Sequence, residues 1–227
     1  MTSQVRRALA MLLLAVTVPV LAHAQTPLPP VSVPPEPTVT LWYVGANTGT
    51  AVVEKFGPIV GFEGGIRVIR NLDAVAEFTW MRDISTNRQH VLIDTLATEL
   101  GRTQGAASDG NIVIGSVYAG LGLRWVFEQQ SRFRPYIIVT VGGSRIDLKP
   151  TLTLGGANVT DNAAAFGVTL GQDLIGKYIE PTISGGAGMI LLHGDLYMDF
   201  GLRMAQINEP NQRANAPRLL LGGGYRF

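Results

Sequence analysis

From residue 39 onward, segment after segment sets apolar and polar residues in one-by-one alternation. That period belongs to a strand with two different faces. It is cleanest at 195–204, where Leu196, Met198, Phe200, Leu202 and Met204 share one face and Asp195, Tyr197, Asp199, Gly201 and Arg203 the other. In 72–82, Leu72, Ala74, Ala76, Phe78 and Trp80 oppose Asp73, Glu77 and Thr79. In 60–68, Val60, Phe62, Gly64, Ile66 and Val68 oppose Gly61, Glu63, Gly65 and Arg67. In 113–127, Val117, Ala119, Leu121, Leu123, Trp125 and Phe127 oppose Ser116, Tyr118, Gly120, Gly122 and Arg124. Segments 135–148, 183–191 and 218–227 follow the same rule, the last with Arg218 and Arg226 on the polar face. Segment 39–45 opens the series without deciding whether Trp42 or Tyr43 lies on the apolar face.

Composition says which solvent the apolar faces meet. Hydrophobic residues make up 46% of the chain and charged residues 15%, against about a quarter charged in a soluble domain. A helical membrane protein would show apolar runs of about 20 residues, and none occurs after residue 24. The span is therefore expected to be made of strands. In lipid such a sheet must close, because an open edge leaves backbone groups unpaired. The predicted fold is all-β: a transmembrane antiparallel up-and-down β-barrel of eight strands, each of about 9–11 residues. Three links read as tight, at 70–73, 128–134 and 192–195; four read as long, at 46–57, 83–110, 149–181 and 206–216. Their alternation suits short periplasmic turns and long extracellular loops. Trp125, Phe127, Phe133, Tyr136, Tyr225 and Phe227 gather on the predicted periplasmic side and Trp80 at the other end of its strand, as two interfacial girdles would.

The N-terminus reads as an export signal. Arg6 and Arg7 precede a mostly apolar stretch, and Ala22-His23-Ala24 is an A-x-A site with cleavage expected after Ala24. Residues 25–38 form a proline-rich lead-in, and 39–227 the barrel. The chain has no cysteine, which excludes a disulfide framework and a thiol nucleophile. No basic stripe of the kind that nucleic acid requires is present.

The C-terminal run Leu220-Leu221-Gly222-Gly223-Gly224-Tyr225-Arg226-Phe227 resembles the terminal signal of outer-membrane barrels. By that resemblance Gly222, Tyr225 and Phe227 would be read by the barrel-assembly machinery, although Leu220 stands where a polar residue is usual. Phe133-Arg134-Pro135-Tyr136 before a glycine-rich strand, and Gly64-Gly65-Ile66-Arg67 leading to Asn71-Leu72-Asp73-Ala74-Val75-Ala76, are similar to OmpA-like and opacity-protein-like barrels. The resemblance implies a bacterial outer membrane, with its lipid and lipopolysaccharide as surroundings. Segment 149–181 is longer than the family leads one to expect and leaves room for a further hairpin, which would make ten strands.

By parity Glu63, Arg67, Glu77, Arg124, Asp199 and Arg203 point into the lumen. Eight strands enclose a space just wide enough to be filled by side chains, and charges there must be paired. A salt-bridged plug is the favoured reading; a narrow polar pore with these residues at its constriction is the other. Inward glycines could make room for large neighbours such as Tyr118 and Tyr197, or leave water. No P-loop, G-x-S-x-G or H-E-x-x-H motif occurs, so no cofactor, metal or catalytic site is expected. His90 lies near Asp83, Ser85 and Asp94 in what reads as a mobile polar loop. The favoured function is non-enzymatic: an envelope barrel that meets surface ligands through its loops. The alternatives are a small-solute channel, a surface enzyme acting on lipid A or peptides around His90, and a soluble ligand-binding barrel with its apolar face inward.

Overall fold

The computed structural model describes residues 42–52, 56–127, 132–171, 174–209 and 212–227; the export signal and the proline-rich lead-in lie outside them. The long strands are β1 (Trp42–Val52), β2 (Phe56–Ile69), β3 (Leu72–Met81), β4 (Ser108–Val126) and β5 (Phe133–Leu154). A two-residue β6 (Ala157–Asn158) follows, then β7 (Gly176–His193), β8 (Leu196–Glu209) and β9 (Gln212–Arg226). Helix α1 (Asn87–Gln104) stands between β3 and β4, and a 3-10 helix (Thr160–Phe166) between β6 and β7.

Every long strand pairs antiparallel with the next, and β1 pairs β9, so the sheet closes on itself with eight strands. The pairing runs from Arg67 through Asp73, Arg124, Ile138, Gly186, Arg203, Arg218 and Ala51 to Gly57. One circuit thus returns ten residues from where it began, the stagger that tilted strands need in order to close.

Alternation places the residues as their parity dictates. Phe62, Leu121, Val139, Phe200 and Leu221 are all exposed on the outer face, at 45% to 68%. A continuous apolar belt of that size is stable only against lipid. A soluble barrel with its apolar face inward is thereby ruled out. Tyr43 is buried at 7% and Trp42 exposed at 56%, which settles the orientation of β1. Trp42, Trp125, Phe127, Phe133, Tyr225 and Phe227 form an outward aromatic rim at the end carrying the tight turns. Tyr136 is not part of it: it is 1% exposed and points into the lumen, as its place next to outward Ile137 requires.

Several loop expectations need correction. β4, β5 and β7 have 19, 22 and 18 residues, well beyond a membrane span. The expected long links 46–57 and 206–216 are largely strand: β1 ends at Val52 and β2 begins at Phe56, while β8 ends at Glu209 and β9 begins at Gln212. Only two of the four connections at that end are long. Segment 149–181 contains strand extensions, the two-residue β6 and the 3-10 helix, so the ring has eight strands and not ten. Segment 83–110 is not a mobile loop but carries α1. This helix begins with the Thr86 backbone N–H donating to Gln89 Oε1 at 2.9 Å and ends at Gly105, whose φ of 64° is the left-handed conformation of a C-cap.

Candidate functional site

The lumen is filled in two tiers. The tier toward the tight turns is ionic. At its centre, Arg124 Nη1 lies 2.8 Å from Glu63 Oε1, and Nη2 lies 3.2 Å from Asp73 Oδ2. Its guanidinium carbon stands 4.2 Å from the centre of the Tyr43 ring, a cation–π contact out of water. Arg67 Nε meets Asp73 Oδ1 at 2.6 Å. On the other side Arg203 Nη2 meets Glu63 Oε2 at 2.5 Å, and Arg203 Nη1 lies 3.2 Å from Glu77 Oε2. Glu77 Oε1 in turn meets Arg218 Nη1 at 2.9 Å. Asp199 joins from β8, 3.8 Å from Arg203, and accepts a 2.8 Å hydrogen bond from the Tyr136 hydroxyl.

All six side chains expected in the lumen lie in this tier, together with Asp73 and Arg218. The carboxylates of Glu63, Asp73, Glu77 and Asp199 meet the guanidiniums of Arg67, Arg124, Arg203 and Arg218, and Arg134 and Arg226 line the turn-end mouth beside them. Neutral groups add further hydrogen bonds, although Arg203 Nε and Arg218 Nε are buried without one. Thr79 and Thr140 hydroxyls donate to Glu77 at 3.1 and 3.3 Å, the Tyr118 hydroxyl donates to Thr140 at 2.7 Å, and Arg218 donates to Ser184. Charges out of water hold only when paired and hydrogen-bonded in this way. Asp73 and Arg218 were legible by parity, but the six expected charges already balance three against three, and nothing in that tally called for a further pair.

The inward glycines belong to this packing. A Cβ on Gly65 would collide with the Tyr43 ring, one on Gly120 with Tyr118, and one on Gly188 with Tyr136. Each missing side chain is the space a tyrosine occupies.

The tier toward the loops is apolar. Ile59, Met81, Ile112, Ile114, Leu148, Leu152 and Ile207 point inward from the extended strands. They pack with Ile93, Ala97 and Leu100 of α1 and with Ala163, Val168 and Leu174 of the β5–β7 connection. Helix α1 therefore packs over the inward face of β4 and β5 at the loop end of the lumen.

His90 lies in the first turns of α1. Ser85 Oγ is 2.9 Å from His90 Nε2 and donates to Asp83 Oδ1, also at 2.9 Å. Asp83 has a φ of 58°, unusual outside glycine. Ser85 is 1% exposed. Asp94, a full turn farther along α1, forms no part of the contact. Among the described residues, no three His, Asp or Glu side chains are placed to hold a metal ion. At the C-terminus, Gly222 packs against Asn47, the Tyr225 hydroxyl donates to Asp195 at 3.2 Å, and the Phe227 backbone N–H donates to Trp42 O at 2.8 Å.

No protein-family model matches the chain, and no curated protein matches it in sequence. Among solved structures it is similar to the N-terminal β-barrel domain of Pseudomonas aeruginosa OprF, with a TM-score of 0.50 and 12% identity over 82% of this chain and 97% of that one. It is also similar to Neisserial surface protein A, with a TM-score of 0.48 and 14% identity over 83% of this chain and 97% of that one. A third is Ail of Yersinia pestis, with a TM-score of 0.45 and 9% identity over 83% of this chain and 99% of that one. Closed ring, outward belt, inward charges and the likeness to the OprF domain agree: the chain has the fold of an eight-stranded transmembrane β-barrel.

Proposed function

We propose that this chain is a non-enzymatic outer-membrane barrel with a closed lumen, an anchor whose work is done at its extracellular end. The observation that carries the reading is the double filling of the lumen, ionic toward the turns and apolar beneath α1. A conducting pore needs a continuous wet path, and both tiers work against one. What remains available to partners is the outer surface of α1, the β5–β7 connection and the strand ends. Barrels of this kind orient their tight turns to the periplasm, which places α1 outside the cell. Assembly would be directed by Gly222, Tyr225 and Phe227. Phe227→Ala is expected to lower outer-membrane levels in cells while refolding into detergent is retained; normal cellular levels would sink that role.

The test of the closed lumen is single-channel recording of the refolded protein in a planar bilayer, with a shift between boiled and unboiled gel samples to establish folding. Silence from folded protein is expected. Reproducible open steps would overturn the reading in favour of a channel.

The Ser85–His90 contact favours a second reading, a surface hydrolase in which His90 activates Ser85. Two features weigh against it. Ser85 is shielded from solvent, and its single proton is directed to Asp83. Covalent labelling by a fluorophosphonate, lost in Ser85→Ala, would establish this second reading; no labelling is expected.

A further inference from the structure

Beyond the apolar belt, the loop-end face of β3, β4 and β5 differs from the rest of the outer surface. A cleft of about 640 Å³ opens there, lined by Trp80, Arg82, Val113, Val117, Arg145 and Lys149, with Asp147 at one side. Its floor is Gly115, where an added Cβ would meet only Met81 O at 3.9 Å. Trp80 pairs with Val117, and Val117 with Arg145, so the two walls stand on either side of β4. Arg82 is the next outward position after Trp80, about 6–7 Å along the strand. Lys177 of β7 faces Asp147 in register and extends the basic surface.

Arg82, Arg145, Lys149 and Lys177 thus gather around a single carboxylate, Asp147, which Lys149 meets at 3.4 Å. Among the described residues, neither Arg82 nor Arg145 forms an ion pair. At the loop ends of β8, β9, β1 and β2, the outward positions Met204, Pro217, Thr50 and Pro58 carry no charge. The basic cluster sits just past an interfacial tryptophan, at the depth where lipid headgroups lie.

We propose that this cleft binds the phosphate of an outer-leaflet glycolipid. Two guanidiniums flanking a bare backbone floor match the fork geometry that arginine presents to phosphate. The Lys149 ammonium adds to the field, and the Trp80 indole lies against the sugar–acyl boundary. Val113 and Val117 give the lipid's apolar shoulder a surface that a free anion would not use. The proposal rests on the outer-membrane placement above. Fractionation of cell membranes tests that placement separately, so failure of the one is distinguishable from failure of the other.

The experiment is native mass spectrometry of the refolded protein in detergent, titrated with diphosphoryl lipid A. The same titration is run with the dephosphorylated lipid and in the presence of inorganic phosphate. One lipid is expected to be retained per barrel. Loss of the phosphates, or the double variant Arg82→Gln/Arg145→Gln, should weaken retention by about tenfold or more. Arg102→Gln, on the exposed face of α1, should leave it unchanged. Each variant's gel shift reports that the barrel is folded. Equal retention by the folded double variant, or equal binding of the dephosphorylated lipid, would overturn the proposal. Displacement of the lipid by millimolar inorganic phosphate would overturn it in favour of a free-anion site.

Discussion

The two tiers of the lumen solve one packing problem by opposite means. Toward the turns, residues separated by up to 141 positions in sequence meet as alternating acids and arginines. Toward the loops, the same ring of strands is filled by Ile and Leu, and the missing volume is supplied by α1 and by Ala163, Val168 and Leu174. The difference follows from what surrounds each tier. The ionic tier is built wholly from strand residues of the belt zone and has no outside element to fill it. The apolar tier lies where the strands run past the belt, and a helix can fold back over the opening. Charge pairing decides the first, whereas shape and volume decide the second.

The largest expected effect breaks the ionic tier. Glu77 stands between Arg203 and Arg218, and its carboxyl accepts from both threonines. Glu77→Lys would place a third cation between two arginines. It should cost about 5 kcal/mol, read as a lower urea midpoint for unfolding from lipid vesicles. An unchanged midpoint would mean that the charges are hydrated and the tier is not packed.

The apolar tier should give way more gently. Leu100 is fully buried between α1 and the strands, and Leu100→Ala should cost about 2–5 kcal/mol through lost burial and the cavity left behind. The sharper readout is regional. Hydrogen exchange should rise in α1 and in the loop-end parts of β4 and β5, while the strands around Glu63 and Arg124 stay protected. Uniform loss of protection would show that the two tiers unfold as one. Gly105→Ala tests the same region from outside the core. With φ at 64° and open space around the Cβ position, the penalty is conformational, about 1 kcal/mol, and should appear only as faster exchange at the end of α1.

These two regions were also unequally legible in the sequence. Strict alternation placed Glu63, Arg67, Glu77, Arg124, Asp199 and Arg203 inside, because a period of two leaves a residue no choice of face. The same rule applies to Tyr136, which its aromatic character near a turn had assigned to the rim instead. Alternation could not show where strands outlast the membrane. Asn111, Asp109 and Thr151 continue the period in β4 and β5, but polar outward residues there look like loop. Helix α1 carried its own signals, Gln89, Ile93, Ala97 and Leu100 along one face, Thr86 and Gln89 at its start and Gly105 at its end. They compete with scattered polar residues around His90, and a helix that fills a barrel mouth has no counterpart in the strand pattern. The Ser85–His90 contact depends on the turn that Asp83 makes into that helix, which residue spacing alone does not specify.

The smallest effect distinguishes the buried middle of the ionic network from its more exposed side. Arg67 and Arg124 both hold Asp73, at 2.6 and 3.2 Å. Arg67 lies nearer the mouth, with its side chain 18% exposed, whereas Arg124 is 3% exposed and also holds Glu63. In Arg67→Gln, Asp73 would keep Arg124 as its counter-charge, and water at the mouth could solvate the vacated side. The loss should be roughly 1 kcal/mol and should shrink in high salt, as for a solvent-screened pair. In Arg124→Gln, two carboxylates would lose their partner out of water, and the cost should be several times larger and insensitive to salt. Parallel urea titrations of the two variants at low and high salt measure the gap. If Arg67→Gln cost as much as Arg124→Gln, the chain of charges would behave as a single cooperative unit, and the position of a residue along it would no longer set its contribution.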